Sequence, residues 1–280
     1  MFNQRRTEFP MRKPTISLLV VLLLAPVASG KAGAEPRTHA GILDLAEDCS
    51  ATPPAAYSVP GVLDDGHDVS VDLIVLLDGV KKSRAQELIA KAAIPYSEIN
   101  VELKVALYRR VNITPDAAGS PDSRPTVDAG RAFDAARVLL GGGRPDGIDV
   151  VHILTRKDVT LPNYGSAPTG AAECAGGVQW DDKAFAISED SGKDVYSLDA
   201  PGITQFADPD AKTVAHEVGH LLGAIHQDAN CQQGVSAEDA TGRDPSPCTV
   251  MIDVVDLASL RFSVLEAAVI RGYALEFADS

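Results

Sequence analysis

The sequence is short of positive charge. Its 25 Lys and Arg face 39 Asp and Glu, for a formal net charge of −14. A surface of that sign repels nucleic acid and anionic membranes, which excludes both as partners. Long apolar runs are scarce as well. The one that stands out is ISLLVVLLLAPVA at 16–28, which is short for a bilayer span and contains Pro26. Nothing after it is long and apolar enough to anchor the mature chain. There are no internal repeats, which excludes a solenoid or array, and no second apolar centre lies beyond a long linker. Disorder is excluded in turn, because 45% of the residues are hydrophobic and apolar runs recur along the chain. Histidine is rare, at six residues, and cysteine is rarer, at four.

The apolar run at 16–28 follows Arg5, Arg6, Arg12 and Lys13 and precedes Ala32-Gly33-Ala34. That order fits a secretory signal peptide over residues 1–34, with cleavage after Gly30 as a second option. Its removal leaves 25 − 5 = 20 bases and 39 − 1 = 38 acids, a net charge of −18. A soluble monomer in the periplasm or the extracellular medium is expected. No cysteine sits at the cleavage region, so a lipid anchor is not indicated. Residues 35–66 are rich in Ala, Pro, Gly and Asp and read as a lead-in or short pro-segment. Residues 67–280 then form one domain. All four cysteines (Cys49, Cys174, Cys231 and Cys248) survive cleavage, and an even count in an exported chain favours disulfides. Cys231 and Cys248 bracket a Gly/Pro/Asp-rich loop and are the favoured pair, which leaves Cys49 with Cys174. Three connectivities are compatible with the sequence.

Regular structure is expected from Val69. VSVDLIVLLD at 69–78 reads as a buried strand, and the helical spacing after it puts Leu88, Ile89 and Ala92 on one face. Residues 101–113 alternate like a strand, 126–140 read as a helix ended by Gly141-Gly142-Gly143, and 148–155 read as a further buried strand. Short strand candidates follow at 171–180 and 183–188, then helices at 211–223 and 262–277. The β-α-β-α-β order predicts an α/β domain with a mixed, mostly parallel twisted sheet and two crossover helices.

Three of the six histidines fall within TVAHEVGHLLGAIHQD, residues 213–228. On a helix His216 and His220 share a face, and two neutral imidazoles four residues apart can hold one Zn2+. Glu217 lies one step round the helix, close to the ion without being a ligand. A catalytic zinc needs a third protein ligand and an open position for water. Gly223 lets the helix stop and the chain turn back, because glycine tolerates positive φ. His226 can then reach the same ion. The spacing His-Glu-x-x-His-x-x-Gly-x-x-His therefore has a geometric reason at each fixed position.

With Met251 of PCTVMID 25 residues after His226, the stretch resembles the metzincin metallopeptidases, and most of all the adamalysin/reprolysin (ADAM-like) group. The resemblance covers residues 67–280 and implies an active-site helix, a methionine turn at Met251 beneath the histidines and a C-terminal helix. It also implies that peptide substrates pair with an edge strand within Gly170–Val178 and meet a pocket wall near Ile252–Leu260. Gln227 stands where that group usually has Asp, and Asp253 stands where the astacin and serralysin groups have Tyr.

The expected function is that of a secreted zinc endopeptidase acting on peptide or protein substrates. Glu217 takes a proton from water and passes it to the leaving amine. An exported adhesion or binding protein that keeps the fold without turnover is the alternative from another class; a hydrolase of non-peptide amides is a third. Asp208 and Asp210, at the start of the active-site helix, raise a structural Ca2+ as a further cofactor. Cys49, were it free, could cap the zinc and keep a precursor latent. His152 lies in an apolar strand and reads as a satisfied core histidine, while His39 and His67 lie in polar surroundings.

Overall fold

The run VSVDLIVLLD is β-branched and apolar, and it forms β1 (Val69–Asp78), most of it buried on both faces. α1 (Lys82–Ala92) follows, burying Ala85, Leu88, Ile89 and Ala92 at helical spacing. A single turn, α2 (Ile94–Ser97), leads into β2 (Val101–Val111). β3 (Thr126–Asp128) runs directly into α3 (Ala129–Leu140). Asp128 caps that helix by accepting the Arg131 N–H at 3.0 Å, and Gly141 ends it at φ +94°. Then come β4 (Val150–Thr155), β5 (Asp158–Thr160), β6 (Gly170–Ala172), a 3-10 turn at Gly177–Gln179, and β7 (Phe185–Glu189). α4 (Pro209–Leu221) and α5 (Val264–Phe277) complete the order.

This computed structural model describes residues 68–119, 123–161, 168–192, 208–226, 249–251 and 261–278. The segments expected at 1–34 and 35–66, His39, His67, Cys49, Cys231, Cys248 and the pocket wall at 252–260 lie outside the described residues. Among the described residues, no helix is long and apolar enough to cross a membrane.

The main sheet has the strand order β2-β1-β4-β7-β6. β1 is parallel to β2 and β4, and β4 is parallel to β7; β6 alone runs antiparallel, against β7. The expected mixed, mostly parallel sheet is therefore present. Alternate residues of β1 serve two cores. Val69, Val71, Leu73, Val75 and Leu77 pack with residues of α1, α4 and α5, whereas Ile74 and Leu76 pack with Ala132, Phe133 and Ala136 of α3. β2 forms the outer edge and keeps its alternation as far as a register shift opposite Leu73 and Ile74.

Two readings of the sequence need correction. Thr126–Asp128 is not the start of a helix; it pairs in parallel with β5 in a separate two-stranded sheet. The helix begins only after Asp128, because the capping carboxylate needs extended backbone at that residue. The strand expected over 171–180 is short. β6 ends at Ala172, and the chain turns through Gly176 at φ +78° into the 3-10 turn.

Candidate metal centre and active site

α4 lies across the sheet, and every residue from Asp210 to Leu221 is buried. Two long-range supports fix it. At its N-terminus, Arg84 of α1 donates to both oxygens of Asp208, at 2.7 and 3.1 Å, and to Asp210 at 3.3 Å. Lys91 adds a bond to Asp208 at 3.0 Å, and the Ser191 N–H donates to Asp210 at 3.0 Å. Burial works to raise the Asp208 carboxyl, but Arg84 and Lys91 outweigh it and hold it below the usual range. The structure gives a structural calcium at Asp208 and Asp210 no support, since these carboxylates are already matched by side-chain cations and a backbone N–H. Further along the helix, Tyr96, fully buried on α2, donates its hydroxyl to Ala215 O at 2.6 Å.

The end of α4 explains the glycine. The Ala224 N–H returns to Gly219 O at 2.9 Å and the Gly223 N–H to His220 O at 2.8 Å, with Gly223 at φ +83°. This is the paired-bond termination that a left-handed residue allows. The reversal does two things. It returns His226 to the helix face, and it places Ala224 O where the His220 Nδ1–H donates to it at 2.8 Å. From the other side, the His216 Nδ1–H donates to Val250 O at 2.9 Å.

Those two bonds settle the protonation of the rings. A carbonyl only accepts, so each Nδ1 carries the proton and each Nε2 presents a lone pair. The Nε2 atoms of His216, His220 and His226 lie 2.9, 3.0 and 3.1 Å apart. Burial, first of all, pushes His216 far down and His220 down to about 3, so both stay neutral. Converging neutral nitrogens are a donor set for a soft or borderline cation. Tetrahedral zinc, with N ligands at about 2.0–2.1 Å, would hold them about 3.3 Å apart, close to what is seen. Among the described residues these three histidines are the only group of metal-binding side chains that converges in this way. His152 stays apart from them: it is a fully buried core histidine with Nε2 3.1 Å from Ser188 Oγ, but its buried Nδ1 has no hydrogen-bond partner, so it is only half satisfied.

Glu217 faces the edge strand. Its carboxylate accepts the Ala172 N–H, and a Cβ at Gly170 would come within 2.9 Å of Oε1. The other oxygen, Oε2, is buried and has no hydrogen-bond partner. Burial pushes the carboxyl up to about 8, against the pull of the Ala172 bond. A cation at the imidazoles would favour the ionised form. Met251 is fully buried under the helix, and a Cβ at Gly219 would fall 2.7 Å from its Sδ. Glycine at 219 is what lets the methionine turn approach so closely. Sequence reasoning missed Tyr96 and Arg84, which reach the site from distant parts of the chain with no local signal of doing so. It placed an edge strand within Gly170–Val178 and a turn at Met251, but not the contacts that Gly170, Ala172 and Thr249 make there.

The family description Metallo-peptidase family M12B Reprolysin-like matches residues 82–227, just over half of the chain and all of the span from α1 to His226. The chain belongs to the M12B reprolysin-like metallopeptidases. This reprolysin-like protein is thus a metzincin-like zinc peptidase, for which three converging imidazoles are the expected metal centre. The match stops short of Met251, whose place beneath α4 rests on the geometry above. No curated protein matches the chain. Among solved structures, the archaemetzincin (amzA) from Methanopyrus kandleri is 18% identical, over 71% of this chain and 86% of that one, with a TM-score of 0.37.

Proposed function

We propose that the chain is an exported, ADAM-like zinc endopeptidase in which His216, His220 and His226 hold the ion and Glu217 moves the proton. The observation that carries this reading is the convergence of three Nε2 atoms, those of His216 and His220 unprotonated, beside a carboxylate with one uncommitted, buried oxygen. Bound zinc would supply Lewis acidity, bringing the pKa of water towards neutrality and polarising the scissile carbonyl. The protein residues do the rest. The Ala172 N–H holds one oxygen of Glu217 and leaves Oε2 to take the proton of the attacking water. The same atom then returns that proton to the departing amine. Val250 O and Ala224 O keep the two helix imidazoles in one tautomer throughout.

The outer edge of β6 suits an extended peptide added as a further strand, and residues 252–260 would wall the pocket after the scissile bond. No described cysteine is free, and Cys174 is buried. A disulfide there forms part of this proposal and fits an oxidising compartment outside the cytoplasm. Acting alone as a monomer would complete the picture.

The test is hydrolysis of an unfolded protein by wild type, by chelated wild type and by Glu217→Gln, with zinc content measured in each. Wild type should cleave within the chain and stop when chelated. Glu217→Gln should keep its zinc and lose about 10²–10⁴-fold in kcat. A Glu217→Gln protein of full activity would remove the proton-transfer role. A zinc-loaded wild type that cleaves no peptide would support a binding role instead.

A further inference from the structure

The turn Thr249–Met251 is gripped from below by α5, and the grip ends on the first imidazole. Glu266, in the first turn of α5, is 2% exposed. One of its oxygens accepts the Ser263 N–H at 2.7 Å, which with the bond from the Glu266 N–H to Ser263 Oγ closes a capping box. The other accepts the Thr249 hydroxyl at 2.7 Å. Thr249 Oγ1 in turn accepts the Met251 N–H at 3.2 Å. Between them, Val250 donates its N–H to Arg261 O at 3.0 Å and offers its carbonyl to His216 at 2.9 Å.

A capping box uses one carboxylate oxygen, and glutamine serves it nearly as well. The second oxygen of Glu266 is spent on the turn. That bond orients the Thr249 hydroxyl, whose proton goes to Glu266 and whose lone pair takes Met251 N–H. The tripeptide is thereby held at Thr249, at Val250 and at Met251, and the single carbonyl directed at the metal centre cannot rotate without breaking one of those bonds.

We propose that Glu266 is a positioning residue for the metal centre, acting through Thr249 to fix the Val250 carbonyl and hence the ring of His216. The proposal rests on the zinc reading of the histidines. Glu266→Gln separates the two tasks of the side chain. The amide oxygen can still cap α5, but the NH2 group now faces Thr249 as a donor, and the hydroxyl loses its acceptor.

The experiment measures zinc affinity of the whole chain by chelator competition, the visible spectrum of the Co(II)-substituted protein, and the melting temperature. Thr249→Val should weaken zinc binding about 10–100-fold and Glu266→Gln about tenfold, the range expected when a partner behind a metal-ligating histidine is lost. Both should alter the Co(II) spectrum, and Thr249→Ser should restore affinity and spectrum to those of wild type. Ser263→Ala is the control. It removes the helix cap but leaves the bond from Thr249 to Glu266, so it should lower the melting temperature without changing the Co(II) spectrum. If Ser263→Ala weakens zinc as much as Glu266→Gln does, or if Thr249→Val binds like wild type, Glu266 only stabilises its helix and the proposal fails. Should Thr249→Val not fold, the comparison of Glu266→Gln with Ser263→Ala decides alone. A wild type that takes up no stoichiometric zinc would instead overturn the reading of the histidines.

Discussion

Replacing Gly223 by alanine strikes both requirements of the turn that returns His226. The first is conformational. At φ +83° an L-residue carries about 1–2 kcal/mol of steric cost that glycine does not. The second is packing. A Cβ at this position would lie 2.5 Å from Tyr273 Cδ2 and 2.8 Å from Cζ, and closer still to Cε2. Carbon atoms prefer separations of about 3.5–4.0 Å, so the ring of α5 or the turn must move. Tyr273 is 3% exposed and has little room to do so. Overpacking of this kind costs about 1–3 kcal/mol, which brings the expected destabilisation to about 2–5 kcal/mol. For a domain of this size each kcal/mol lowers the melting temperature by about 2–4 °C.

Urea unfolding of the zinc-free protein measures the loss, and a double-mutant cycle with Tyr273→Ala divides it. Removing the ring should relieve the packing part and leave the conformational part, a coupling of about 1–3 kcal/mol. Zinc affinity should fall in Gly223→Ala as well, because the same turn carries the Ala224 carbonyl behind His220. A Gly223→Ala protein as stable as wild type, or a cycle without coupling, would refute the reasoning.

Gly170→Ala should push against Thr213 Cγ2 and Glu217 Oε1, at 2.6 and 2.9 Å from the added carbon. It should lower kcat at least about tenfold by misplacing the carboxylate while zinc content stays at one per chain; unchanged kcat would sink the argument. For His152, burial pushes the folded-state pKa down to about 3, so below about pH 6.5 the unfolded chain binds the extra proton. Stability is therefore full above that pH and lost as it falls towards 3, by about 2 kcal/mol at pH 5 on this residue's account. His152→Gln should flatten the wild-type curve of urea midpoint against pH by that amount, and parallel curves would contradict it. Arg84→Met leaves Asp208, Asp210 and Asp190 facing one another with less countercharge. It should cost about 2–4 kcal/mol at pH 7, with part recovered in acid as Asp208 and Asp210, no longer held by Arg84, protonate; a loss independent of pH would point to packing alone.

The strands and helices with a clear period were legible from the sequence. β1 and α3 end where their apolar patterns and Gly141 indicate. The three-residue strands β3 and β5 were not, because so short a segment has no period and is defined only by its partner across the second sheet. The convergence of the three histidines was legible because they sit on one helix and the turn after it, where local geometry fixes their spacing. Glu217 shows the limit. Its position beside His216 follows from the sequence, but the amide that holds it belongs to Ala172, 45 residues earlier. Asp208 and Asp210 show the same limit from the other side. Read locally they suggest a cation site, and only the fold brings Arg84, 124 residues away from Asp208, to occupy it.

Ordinary surface helices tolerate change along one stripe and resist it along the other. α4 has no such tolerant stripe, because Asp210 to Leu221 are covered on every side. A saturation library across this segment should therefore show intolerance at consecutive positions rather than a three-to-four-residue rhythm. Residues such as Val214 and Val218, which take no part in chemistry, should rank with the histidines in that library, because a side chain of the wrong size there displaces the platform the imidazoles stand on.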